Sequence, residues 1–130
     1  MHSAAAKIFK TAKRETQLVP SAAWGIDIEV RGMTMGDRST LLTDCYTNDE
    51  TRHPIYRKFY PTLLRACCYD PTDGMQIFAG ISDDDINTLP AEEVERVSKI
   101  CLRLSGLDST SDKTVGNGSG TTTTVISSTS

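Results

Sequence analysis

The sequence predicts an α+β domain, mainly α, with four or five helices and a small antiparallel β element. Three observations carry this. Tyr56, Phe59, Tyr60, Leu63, Leu64, Cys67 and Cys68 recur at intervals of three and four, the spacing of one buried helical face. Val94, Val97, Cys101 and Leu104 repeat that spacing, with Ile100 widening the stripe. Ile26, Ile28 and Val30 alternate with Asp27, Glu29 and Arg31, the period of a strand with one apolar and one charged face.

Each element has its own local signals. A first helix is expected over Ala4 to Glu15, with Ser3 as its cap. Ala5, Ile8, Phe9 and Ala12 share one side, and Lys7, Lys10 and Arg14 face elsewhere. This basic helix is expected to pack on the body or against another copy rather than on a membrane. Leu18-Val19 run into Pro20, and Trp24-Gly25 precede the strand that Gly32 ends. A second helix starts near Thr34 or Gly36, where Thr34 and Asp37 have capping-box spacing. Leu41, Leu42, Cys45 and Tyr46 form its buried stripe, and Asn48-Asp49-Glu50 follow as a polar loop.

Pro61 interrupts the most apolar segment. Proline suits the first turn of a helix, so the main helix is expected from Tyr60 to Tyr69, with a kink as the alternative. Asp70-Pro71-Thr72-Asp73-Gly74 reads as a turn. Met75, Ile77 and Phe78 after it are expected to form a short strand against Ile26 to Val30. Ser82 with Asp85 opens a short helix through Asn87. Pro90 is the expected first residue of the last helix, whose first turn holds Glu92 and Glu93. Gly106 is its expected C-terminal cap.

After Gly106 the chain of 130 residues is almost all Ser, Thr, Gly and Asn. Such a segment buries too little apolar surface to offset the entropy of ordering it. Three regions follow: 1–16, an amphipathic helix with a mobile or intersubunit placement; 17–107, a compact helical domain; and 108–130, a flexible Ser/Thr/Gly-rich tail. A terminal strand over Thr121 to Ile126 is the alternative for the tail and requires an open sheet edge.

Composition narrows the function classes. Formal net charge is -3. The N-terminus is basic through Lys7, Lys10, Lys13 and Arg14. Asp83, Asp84, Asp85, Glu92, Glu93 and Glu95 make a later stretch acidic. Basic residues are not interleaved with aromatics, so no nucleic-acid partner is expected. The first fifteen residues contain no apolar core of a signal peptide, and no apolar run reaches the length of a membrane span. Cytoplasmic localisation is the expectation, with Cys45, Cys67, Cys68 and Cys101 as buried free thiols. His2 and His53 lack zinc or nucleophile spacing. Gly116, Gly118 and Gly120 lack the following helix that a phosphate loop needs. The acidic Asp70 to Asp73 turn is too short for a calcium loop. No enzyme activity, cofactor or metal is expected. Candidate protein-interaction residues are Ile8, Phe9, Trp24 and Tyr56, large apolar groups near the edges of the predicted elements.

Five segments together resemble a known family. They are Trp24-Gly-Ile-Asp-Ile-Glu-Val-Arg-Gly-Met-Thr34, Leu63-Leu-Arg-Ala-Cys-Cys-Tyr-Asp-Pro-Thr-Asp-Gly74, Ile77-Phe78, Ile86-Asn-Thr-Leu-Pro-Ala91, and Val97 through Leu104-Ser-Gly-Leu107. In this order they resemble the tail assembly chaperones of long-tailed, lambda-like bacteriophages, in their short-product form. The resemblance implies a protein that binds the tape measure protein and keeps it soluble during tail morphogenesis. It also implies self-association as a homo-oligomer and a partner in the longer form made by translational frameshift. The tail tube protein is an indirect partner. The implied location is the host bacterial cytoplasm, with no place in the mature virion. A structural head-tail connector or tail completion protein, and a small DNA-binding regulator, are the alternatives.

Overall fold

A computed structural model describes residues 1–107. Its elements are α1 (Ser3–Thr11), β1 (Thr16–Ser21), β2 (Ile26–Arg31), α2 (Met35–Asp44), α3 (Tyr56–Cys67), β3 (Cys68–Tyr69), α4 (Asp83–Ile86) and α5 (Ala91–Leu104). The strands form one antiparallel sheet in the order β1-β2-β3. The predicted α+β, mainly helical class is the observed one. The tail expected over 108–130 lies outside the described residues.

The first helix is shorter than its sequence pattern. α1 stops at Thr11, and Ala12 is extended. His2 caps it in place of Ser3: the His2 ring nitrogen accepts from the Ala4 amide at 3.0 Å. The physical reason for the early stop lies at Arg14. Its guanidinium donates to the carbonyl oxygens of Gly32 (2.6 Å) and Ala66 (2.9 Å), and to the Tyr69 hydroxyl (2.9 Å). A cation making three such bonds is worth more than one further helical turn. Arg31 also lies over the Tyr69 ring, 3.8 Å from its centre.

Residues around Pro20, unassigned in the sequence pattern, form β1. Thr16 pairs with Arg31 and Ser21 with Ile26. Val19 and Ser21 point inward and are buried. Ser21 is polar, which broke the apolar alternation in the sequence. Its hydroxyl donates to Glu93 on α5 at 2.6 Å. Arg96 closes the network on Glu93 at 2.9 and 2.7 Å and reaches the Pro20 carbonyl at 3.0 Å. Pro20 cannot donate from the edge strand, and Arg96 occupies its carbonyl, so this edge is a poor template for another strand.

α2 and α4 start where the sequence places them. Thr34 and Ser82 each accept from the amide three residues on, at 3.1 Å. α3 does not. It begins at Tyr56 rather than Tyr60, and Pro61 lies inside it. Proline removes the bond to the carbonyl four residues back, here that of Arg57. The Asn87 side chain, just past α4, donates to that carbonyl at 3.0 Å and to Asp83 at 2.8 Å. A tertiary bond thus replaces the lost helical one.

α3 also ends earlier than expected, because Cys68 and Tyr69 turn into β3 and pair with Val30 and Glu29. Met75 to Phe78 therefore does not pair with Ile26 to Val30. Gln76 bridges Tyr69 instead, and the Ile77 amide donates to Cys68 at 3.0 Å. Pro90 precedes α5 as its cap residue rather than standing as its first helical residue. At the other end Gly106 adopts φ +74°. The Leu107 amide reaches back to Leu102 at 2.8 Å and that of Gly106 to Arg103 at 3.2 Å. This paired termination brings Leu107 back toward Leu102.

The core is Ile28 and Val30 from the sheet, Leu41 and Cys45 at α2, Leu63, Leu64 and Cys67 from α3, Ile86 from α4, and Val97 and Cys101 from α5. Gly32 sits where β2 passes the end of α5. A Cβ there would lie 2.5 Å from the Leu104 carbonyl oxygen. Gly32→Ala is expected to lower stability by about 1–3 kcal/mol through this clash, read as a lower midpoint in urea or thermal unfolding.

The Glu93 network predicts a pH effect. Hydrogen bonds from Arg96 and then Ser21 lower its pKa from 4.5 to about 2. A depressed carboxylate contributes stability that is present above its unfolded pKa and lost as pH falls through its folded one. Stability should therefore fall between about pH 4.5 and pH 2. Glu93→Gln should be less stable at neutral pH, and the gap to the wild type should close across that window. A gap that stays constant with pH in parallel thermal melts would contradict this.

Candidate protein-interaction groove

The four candidate residues are not brought together. Ile8 and Phe9 lie on α1, which buries none of its residues and leaves them 60% and 77% exposed. The helix therefore does not pack on the body through its apolar side. Trp24 lies in the turn between β1 and β2. Its ring meets Phe78 edge-on, 6.0 Å between centres, and it is half-buried against the core. Trp24, expected as an interaction residue, packs at the edge of the core instead.

Tyr56 lies elsewhere, in a groove of about 620 Å³ between α3 and the end of α5. Its ring stacks on Tyr60 at 5.9 Å, four residues on and so on the same helical face. Tyr60 meets Phe59 edge-on at 5.6 Å, and Phe59 meets Tyr46 at 5.9 Å. Four rings thus run in sequence from an exposed end, Tyr56 at 58% exposure, through Tyr60 and the buried Phe59 to the half-buried Tyr46. Across from them, α5 supplies Ile100 and Leu102, and Leu107 joins them after the Gly106 turn.

The loop 45–55 holds one wall. Tyr46 bridges Pro54, the Thr47 amide donates to His53 at 2.8 Å, and the Ile55 amide donates to Cys45 at 2.7 Å. Asp49 closes the loop by accepting from Thr51 at 2.8 Å and Thr47 at 2.9 Å. These two bonds and the Arg52 amide hold its carboxyl below the usual range. His53 lies beside the Thr51 hydroxyl at 3.3 Å, as a member of this loop.

The groove's charge is one-sided. Its charged lining residues are Lys99 and Arg103, both on α5. Neither is in an ion pair among the described residues. Glu95 stands one turn before Lys99 and flanks Tyr60. Burial raises the Tyr60 pKa, and the charge of Glu95 adds to that effect. The phenol stays protonated near neutral pH and can donate a hydrogen bond to an incoming acceptor.

Sequence reasoning found Tyr56 and missed the rest of this site. Tyr46, Tyr60 and Ile100 had been assigned to buried stripes. The signal was the width of those stripes: more apolar residues than two packed helices can hide from each other.

Among the described residues, no group of His, Cys, Asp and Glu has the arrangement of a metal site, and no helix is long and apolar enough to cross a membrane. Comparison with protein-family models, with curated proteins and with solved structures finds no match for this chain.

The four cysteines are free and buried. Cys101 contacts Cys67 and Cys68, and these contacts together with burial push its pKa well up. The same contact with Cys101 lowers the pKa of Cys67, so the common reason for low reactivity is enclosure: all four thiols are buried away from a reagent. Titration with a thiol reagent should find all four slow to react in the native state and all four fast in denaturant.

Proposed function

We propose that this chain is a short-product tail assembly chaperone of a long-tailed bacteriophage, binding the tape measure protein and keeping it soluble during tail morphogenesis. One observation carries the reading: among the large apolar residues that the described chain leaves exposed, two sets stand beside further apolar groups. The Tyr56–Tyr60 groove is one, and the Ile8–Phe9 side of α1 is the other. Exposed patches of this kind mark interaction sites, and a client with long apolar helices requires such cover. The five sequence segments that resemble this family support the choice of client. Two separate patches on one chain also favour a client long enough to be held at several weak points, where linked contacts outweigh any single one.

The proposal includes a non-enzymatic role, self-association, and contact with the frameshifted longer form, through which the tail tube protein is reached. It places the protein in the host bacterial cytoplasm and outside the mature virion.

Co-expression with the tape measure protein from the same phage tests this. The client is expected to move to the soluble fraction and to co-purify with this chain. A client that remains equally insoluble and does not co-purify overturns the proposal. Mass spectrometry of purified particles checks location, since recovery of this chain there would favour a structural virion protein.

A further inference from the structure

We propose that the groove between α3 and α5 receives an amphipathic helix whose apolar stripe is flanked by carboxylates. The secondary structure of the occupant follows from what the groove offers. Its lining is built from the side chains of two helices and a closed loop, with no open strand edge along it. An extended segment would leave its backbone donors and acceptors without partners, whereas a helix satisfies its own. Tyr56 and Tyr60 stand about 6 Å apart along α3, a spacing matched by residues one turn apart on a helical partner.

The sign of the occupant's charge follows from the rim. Lys99 and Arg103 line the groove, and its lining residues include no carboxylate. Arg103 donates to the neutral Gln17 side chain, and among the described residues it has no ion-pair partner. A partner carrying Glu or Asp beside its apolar stripe gains there, and one carrying Lys is repelled. Glu95 flanks Tyr60 one turn away, so the rim is cationic toward the C-terminal end of α5 and changes sign toward its start. This gradient gives the bound helix a preferred direction. α1 of a second copy is the obvious competitor, because Ile8 and Phe9 are exposed. Its Lys7 and Lys10 would stand beside Lys99 and Arg103, and charge disfavours it.

The inference rests on the client-binding reading only for the natural source of the helix. It is tested with the full chain and synthetic peptides of about 18 residues, long enough for five turns. One peptide carries Leu and Phe at i, i+3, i+4 and i+7 flanked by Glu, and its twin carries Lys in place of Glu. Calorimetric titration at low salt is expected to give about tenfold tighter binding of the Glu peptide, with the difference shrinking as salt is added. Lys99→Glu, an exposed change, should reverse the preference, and Tyr56→Ala should weaken both peptides. Circular dichroism of each variant confirms the fold. Equal affinities, no binding of the Glu peptide, or a preference untouched by Lys99→Glu overturns the inference. So does equal competition by a peptide of residues 1–15. The two proposals fail separately: a client made soluble without peptide preference retains the chaperone and loses the groove, and the converse result retains only the groove.

Discussion

Most of the described core is assembled on α3. α2, α4, α5 and β2 all pack on it, and β3 continues from its last residue. Leu63, Leu64 and Cys67 are fully buried as a result. Each such leucine contributes about 1.5–3 kcal/mol, so the core stands or falls with the path of this helix. Pro61 threatens that path from inside. The helix survives it because Asn87 supplies the missing donor to Arg57 and because Pro61 is itself buried. The position of α4 is therefore tied to a defect in α3. Arg57 and Arg65 of α3 reinforce the tie through ion pairs with Asp84 and Asp83. The acidic start of α4 thus meets basic residues on α3 as well as its own helix dipole.

Much of this was legible where the cause is local. Thr34, Ser82 and Gly106 act within a few residues of themselves, and each cap stands where the sequence pattern sets it. The stripes of α3 and α5 were legible because twelve or more residues share one period. What failed depended on distant partners. β1 has one buried apolar residue, Val19, and its other inward residue is a serine that is satisfied only across the molecule by Glu93. β3 is two residues long, too short for any period to show. Pro61 read as a helix start because nothing in the sequence marks Asn87 as the donor that lets it sit mid-helix. Arg14 read as one more cation on a basic helix. Its three acceptors come from the residue after β2, from α3 and from β3, and only the fold assembles them.

The groove shows the same division. Tyr56 was legible as an aromatic at the start of a stripe. Its surroundings were not, because a stripe does not say which of its members find cover. The start of α3 and the C-terminal part of α5 line the groove. Tyr56 and part of Tyr60 are left over, as are Ile100 and Leu102 on the facing helix. The groove's aromatic and basic lining is what points to use, since polar residues would cover a purely structural helix end at less cost.

On the proposed function, the uncovered surfaces must also be kept from covering each other, or no client could compete. Charge supplies a reason. α1 is basic around Ile8 and Phe9, and the groove is basic around Tyr56. Bringing the two together would place like charges within a Debye length, about 8 Å at physiological salt, as the apolar groups are buried. A helix with carboxylates beside its apolar stripe meets the opposite condition at both surfaces. Arg14 bears on this as well. By pinning the chain to Gly32, Ala66 and Tyr69 just after α1, it fixes where that helix leaves the body. The arrangement then consists of two apolar patches of the same sign on one chain, mutually repelling and each suited to an acidic helical partner. On the proposed function, that is the arrangement of a holder that stays open until its client arrives.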